Sequence, residues 1–244
     1  MTVTHLTPKE VVTVAIMQPY FVPYAGYYRL FGASDVFVIY DCVQFPRRGW
    51  VHRNRLRDAS GSQRWLTLPL EKAPQNIRIR DLRFAPNADQ LLTYRLRKFP
   101  LSATQPESVA PILAALREVT GTPLDYIVRL LELTVRYCGM RWNVVRSSSL
   151  DIPPEVRGQD RILEIARRLG AGRYVNNPGG EDLYDAATFA EAGIALRFLT
   201  GYPGPRDSIL SRIMREDGDA LRRDILATTR MREEFAVPVR GSGP

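Results

Sequence analysis

Two short apolar runs with little chain between them constrain this fold more than any other feature. Val14 to Met17 (VAIM) and Val36 to Tyr40 (VFVIY) have the β-branched and aromatic character of buried strands. Between them lie a Pro-punctuated turn, from Gln18-Pro19-Tyr20 onward, and a helical segment from Tyr27 to Gly32 entered at Gly26. Strand, helix and strand in so short a space read as a parallel β-α-β crossover. In open α/β sheets ligands sit beyond the carboxyl ends of the strands. The polar sets that follow the two runs, Gln18 to Tyr20 and Asp41 to Arg55, are therefore expected to face one crevice.

The rest of the chain continues the alternation. Asp58 to Ser62 is a turn, and Gln63 to Leu70 alternates as a strand does, predicting a hairpin with Arg55 to Arg57 or a strand returning to the sheet. Ile77 to Phe84 (IRIRDLRF) alternates apolar and charged residues and predicts an edge strand. Helical spacing takes over at Ala88–Phe99, Val109–Val119 and Pro123–Cys138, with Pro100 to Pro106 as a linker. Arg141–Arg146, Arg173–Asn176 and Ile194–Leu199 read as further strands. Helices are predicted from Asp160, as cap, to Leu169 and over Leu183–Glu191. The predicted class is α/β, a mostly parallel sheet with an inserted helical lobe. The expected parts are an N-terminal α/β part (12–85), the helical lobe (86–138), a C-terminal α/β part (139–215), and a charged helix with a frayed tail (216–244). Residues 1–11 read as a loose leader.

At 244 residues the chain can bury a core without staples. Two cysteines, Cys42 and Cys138, are too few for a disulfide framework. No apolar run approaches transmembrane length and no secretory signal pattern opens the chain, so cytoplasmic residence without membrane association is expected. The net charge of +8 is carried largely by Arg. Outside Arg47 to Arg57 the basic residues alternate with Asp and Glu on helical faces, and no nucleic-acid-binding motif is present. Nucleic acid is therefore not the expected partner. Guanidinium groups bind phosphate and carboxylate bidentately, which suits a small anionic ligand.

The densest polar group is Gln44, Arg47, Arg48, Trp50, Arg53, Asn54 and Arg55. A solvated basic turn accounts for the charge, but Trp50 and the amides are unneeded decoration on such a face. Cations for a diphosphate and planar groups for stacking would suit a sugar nucleotide. Gln18, Tyr20 and Tyr24 precede a helix start whose N–H groups can hold an anion; a proline turn packed with tyrosines explains them too. Asp41, ending a strand, is a candidate general base or an ion-pair partner. Cys42 and His52 are a candidate pair for thiol chemistry, through which a carrier-bound acyl group would pass as a thioester. Gly179 and Gly180, after Asn176, permit close backbone approach to a ligand. Cys138, on an apolar helical face, reads as core. No metal-ligand spacing or Gly-rich nucleotide motif is present.

The stretches MQPYFVPYAGYYRL, DVFVIYDCVQF and RRGWVHRNRL resemble the WbqC-like family of bacterial proteins. The resemblance continues through Arg161 to Phe198, with Asn176, Gly179 and Gly180 in a second signature, and through Ser208-Ile209-Leu210. It implies a part in O-antigen or natural-product assembly and a transferase, acyl or aminoacyl (for example glycyl), acting on an amine such as that of an amino sugar. No cofactor is evident; a carrier-protein thioester, an aminoacyl donor or ATP are the candidate donors, and the amine or sugar nucleotide and an acyl or peptidyl carrier protein are the candidate partners. Cys42 and His52 depart from the family pattern, where an acidic or polar residue and an Asn are usual. Ser211 stands where an Asp is common. A non-catalytic ligand-binding protein of the same pathway is the alternative. A more distant likeness is to the nucleotidyltransferases (HUP-like folds) that include pantothenate synthetase, but Tyr24 and Tyr27 occupy their signature histidine positions.

Overall fold

Strand β1 (Thr13–Met17), helix α1 (Ala25–Gly32) and strand β2 (Val36–Ile39) form the expected crossover, with β1 and β2 parallel in register Val14↔Val36 to Met17↔Ile39. A hairpin of β3 (Arg53–Arg57) and β4 (Gln63–Thr67) follows, then helices α2 (Ala88–Leu96), α3 (Ala110–Arg117) and α4 (Pro123–Tyr137). The chain returns through β5 (Val144–Arg146), α5 (Gly158–Arg168), β6 (Arg173–Asn176), α6 (Ala186–Glu191) and β7 (Ala195–Phe198), and ends in α7 (Leu210–Ile213) and α8 (Gly218–Ala227). The computed structural model describes residues 11–101 and 107–232. Most of the expected leader, the linker over 102–106 and the tail beyond 232 lie outside these residues.

The five-stranded sheet has the order β5-β2-β1-β6-β7 and every pairing in it is parallel. The chain builds outward from β1 to β2 and β5 on one side, then crosses back to β6 and β7 on the other. Strand order therefore reverses between β1 and β6, the switch point of a doubly wound α/β sheet. Alternate residues serve opposite layers, as a pleat requires. Val14, Ile16, Val38 and Tyr174 pack with α5 and α6 through Ile162, Ile165 and Phe189. Ala15, Phe37, Ile39 and Val175 pack on the other face with α1, the hairpin and α2–α4.

Local chemistry explains the boundaries. Thr122 and Asp125 close a capping box at the start of α4, with Pro123 at its first position. Gly139, at φ +58°, ends that helix. The start of α5 differs from expectation: Arg157 is the cap residue and Asp160 sits in the first turn, where its charge faces the helix N-terminus.

Two further expectations are corrected. Ile77 to Phe84 is not an edge strand; it bends through a 3₁₀ turn at Ile79–Asp81 and touches the chain by single bridges, Gln44↔Arg78 and Leu70↔Phe84. Its alternation arises because Ile79 and Leu82 are buried while Arg80 and Arg83 reach water. Leu183 belongs to a 3₁₀ segment, Pro178–Leu183, and α6 begins only after Asp185, whose carboxylate caps it.

Candidate functional site

A cleft of about 870 Å³ opens at the switch point, over the carboxyl ends of β1 and β6. Its floor is Met17, the last residue of β1, and Gln18 beyond it, with Asn176, the last residue of β6, and Asn177 beyond it. One wall is the start of α1 with Tyr20, Tyr24 and Tyr27; the opposite wall is Gly179, Gly180, Leu183 and Tyr184. The hairpin contributes Asn54, Arg55, Arg57 and Gln63, the turn before it contributes Trp50, and the segment after β7 contributes Tyr202, Arg206 and Asp207. The volume suits a ligand of nucleotide size.

Four guanidinium groups line this cleft, Arg29, Arg55, Arg57 and Arg206, against a single carboxylate, Asp207. That carboxylate is already engaged, by Arg57 at 3.2 Å and by the Gln63 amide. Arg55 and Arg53 place their guanidinium groups over the exposed Trp65 ring at 4.7 and 4.3 Å, and Trp65 lies 5.4 Å from Trp50. The result is a stacked ledge on the hairpin whose Trp50 end reaches the cleft. The phenols of Tyr20, Tyr24, Tyr40 and Tyr202 are all pushed up, chiefly by burial. They remain neutral hydrogen-bonding groups near pH 7.

Of the residues singled out in the sequence, Gln18, Tyr20, Tyr24, Trp50, Asn54, Arg55, Asn176, Gly179 and Gly180 line this one cleft. Asn54 is also a clamp: its amide donates to the carbonyls of Phe21 and Val22 at 3.1 and 2.8 Å, and its Oδ1 accepts from Arg55 N–H at 2.7 Å. Val22, held at φ +39°, is thereby fixed in the loop that carries Tyr20 and Tyr24. Gly180 earns its place sterically, since a Cβ there would meet the Asn176 amide at 2.7 Å.

The remaining candidates lie elsewhere. Gln44 donates to Gln75 O, Arg48 is exposed, and Arg53 is tied to the carbonyls of Gly49 and Arg48. Asp41, fully buried at the end of β2, accepts from Ser147 Oγ at 2.8 Å, Ser148 N–H at 2.9 Å and Ser148 Oγ at 2.6 Å. Cys42 Sγ lies 3.1 Å from Ser147 Oγ and 3.3 Å from an Arg161 nitrogen. His52 faces Phe45 instead, edge to face at 4.9 Å, beside a smaller opening lined by Thr67, Leu68 and Arg95. Burial and Arg53 push its imidazole down to about 4. Cys42 and His52 thus have separate surroundings, and neither lines the cleft. Cys138 is fully buried. Among the described residues, no three His, Cys, Asp or Glu side chains converge as metal ligands would.

Sequence reasoning passed over Arg29, Tyr184, Tyr202, Arg206 and Asp207. Ser208, buried just beyond them, donates its hydroxyl to Val22 O at 2.7 Å and its backbone N–H to Arg55 O at 3.1 Å, which pins this segment against the hairpin. A positional signal was available for the last four. Like Gln18, Tyr184 and the segment after β7 follow parallel strands on their carboxyl side.

Fold and cleft together define a doubly wound α/β protein with a guanidinium- and phenol-lined opening at its switch point. The chain belongs to the WbqC-like protein family, whose pattern matches residues 18–205. A relative from Mycobacterium tuberculosis, named only as uncharacterized protein Rv1507c, is 27% identical over 200 residues, covering 80% of this chain and 84% of its own. No solved structure matches the chain.

Proposed function

We propose that the protein is a transferase that binds a phosphorylated amine, such as an amino-sugar nucleotide, in the switch-point cleft and passes an acyl or aminoacyl group to its nitrogen. The observation that carries this reading is the composition of the cleft, in which guanidinium groups surround a nucleotide-sized space whose one carboxylate is already paired. Such a lining selects an anion. Trp50 offers a stacking face and the neutral phenols offer hydrogen bonds to sugar hydroxyls. The family resemblance supports an amine in O-antigen or natural-product assembly as acceptor.

In this reading the amine nitrogen attacks the carbonyl carbon of the donor, the C–N bond forms, and the donor's thiol or other leaving group departs with the bonding pair. The ammonium proton is taken up by the departing thiolate or other leaving group, since the one carboxylate of the cleft is held by Arg57 and Gln63. Direct transfer by positioning is favoured over a covalent relay, because Cys42 lies outside the cleft lining. The test is calorimetric titration of the full chain with amino-sugar nucleotides, followed by incubation with acyl and aminoacyl donors and mass analysis of the sugar. An N-acylated product made equally by wild type and Cys42→Ala supports the reading. Tight binding with no product under any donor would leave a binding protein instead. A nucleotidyltransferase is the second reading, favoured by the strand order and by an α1 N-terminus without a side-chain cap; release of pyrophosphate from ATP would mark it.

A further inference from the structure

Arg29 is the charged residue in α1 (AGYYRLFG), and its side chain is almost wholly buried, at 1% exposure. It donates to Thr200 O at 3.0 Å and Thr200 Oγ at 3.3 Å, while its Nε has no partner. No carboxylate among the described residues pairs with it, and the neighbours that favour its charge are the phenols of Tyr24 and Tyr202. The Tyr202 ring centre lies 5.8 Å from its Cζ. A buried cation without a counter-charge is costly. Holding Thr200 requires donors but no charge, so the fold alone does not explain a guanidinium here.

Arg29 lines the cleft, and the chemistry above it is matched to it. The Tyr24 phenol feels two cations, Arg206 more strongly than Arg29. Arg206 is exposed and makes no hydrogen bond or ion pair among the described residues. Gly26 makes the arrangement possible: a Cβ there would strike the Tyr24 ring at 2.2 Å and Tyr202 at 2.8 Å, so only glycine lets both rings fold over the start of α1.

We infer that Arg29, Arg206 and the Tyr24 hydroxyl between them form an anion subsite at the α1 end of the cleft, which takes a phosphate or carboxylate of the ligand. The ligand supplies the counter-charge that the fold withholds. This rests on the reading of the cleft as the ligand site, and it assigns the group recognised there.

The test is thermal-shift and calorimetric titration of the full chain with sodium pyrophosphate and with malonate at matched ionic strength. One of the two anions should raise the wild-type melting temperature; pyrophosphate assigns the subsite to phosphate and malonate to carboxylate. Arg29→Met and Arg206→Gln should each weaken that binding by about tenfold or more, as expected for loss of a charged hydrogen bond. Arg215→Gln removes an equal charge from an exposed position outside the cleft and should leave the response intact. Arg29→Lys keeps the charge without the fork, and weakened binding by it carries the proposal if the methionine variant does not fold. Arg29→Met binding the anion as wild type does would overturn the subsite. If Arg55→Ala lost the response while Arg29→Met kept it, the cleft reading would stand and the subsite would fall. A wild type indifferent to both anions would also end the subsite, with the cleft then judged on the sugar-nucleotide titration alone.

Discussion

Asn54→Ala is the substitution whose cost can be worked from the geometry. The side chain is 3% exposed and makes three hydrogen bonds, to Phe21 O, Val22 O and Arg55 N–H. Truncation does not orphan all three partners, because Val22 O keeps a bond from Ser208 Oγ at 2.7 Å. Phe21 O is left without that partner in a buried setting, whereas Arg55 N–H, part-buried beside the cleft, can turn to water. At about 1–3 kcal/mol for the buried unsatisfied carbonyl and about 0.5–1.5 kcal/mol for the part-buried bond, the loss is roughly 1.5–4.5 kcal/mol, a large share of a domain's stability. Asn54→Asp should be worse than Ala despite its similar shape. It retains the acceptor for Arg55 N–H but sets a buried carboxylate against two carbonyl oxygens. The measurement is urea unfolding followed by tryptophan fluorescence, read as a shift in midpoint at constant slope. The expected stability order is Asn, then Ala, then Asp. Ligand binding should fail in both variants even below the unfolding midpoint, because Val22 at φ +39° is released and the loop carrying Tyr20 and Tyr24 relaxes. A loss under about 1 kcal/mol for Ala, or an Asp variant as stable as wild type, would refute the clamp.

His52, pushed from 6.5 to about 4 by burial and Arg53, takes its proton more readily in the unfolded chain. Its contribution to stability is therefore complete above pH 6.5 and declines as pH falls toward 4, and His52→Phe should flatten the melting-temperature profile over that window. At Gly218 a Cβ would sit 1.9 Å from Tyr137 O, a backbone atom that cannot rotate away, so Gly218→Ala should cost roughly 1–3 kcal/mol or more by chemical unfolding. Arg48→Ala, at an exposed position outside the cleft, should change stability by no more than about 0.5 kcal/mol and leave ligand affinity intact, whereas Arg55→Ala should weaken affinity in the same titration.

The parallel core was legible because its signals are local. Buried strands such as VAIM and RYVN declare themselves by composition, and α4 by its Thr-Pro start and Gly139 stop. Ile77 to Phe84 misled because its apolar and charged residues alternate in sequence, whereas the chain turns at Ile79–Asp81 and buries Ile79 and Leu82, three apart, with only single bridges to its neighbours. The cleft was half legible for a related reason. Gln18, Trp50 and Arg55 stand in a dense motif close to the first two strands. Arg29 hides inside an apolar helix, where an arginine is readily taken for one that reaches out to water. Its signal is subtle: every residue of α1 from Ala25 to Phe31 is buried, so no exposed face exists for it to reach. Arg206 and Asp207 lie in a Gly/Pro-rich segment without periodicity, and only the crossing from β7 to the hairpin brings them to the site.

Sheet order also accounts for the separation of the two polar clusters that the sequence placed together. Asp41 and Cys42 follow β2, whose outer neighbour is β5, and β5 runs straight into Ser147 and Ser148. Those serines fill the Asp41 carboxylate with three donors and the Arg161 guanidinium closes over Cys42, so this end of the sheet satisfies itself. At the β1–β6 boundary the connections leave in opposite directions, and the cleft between them is lined by the start of α1, the hairpin and the segment after β7. Guanidinium groups there, on Arg29, Arg55, Arg57 and Arg206, outnumber the single carboxylate of Asp207. Under the proposed reading, a chain that completes its hydrogen bonding at one strand end and leaves a surplus of guanidinium groups at the next marks where an anionic ligand would sit.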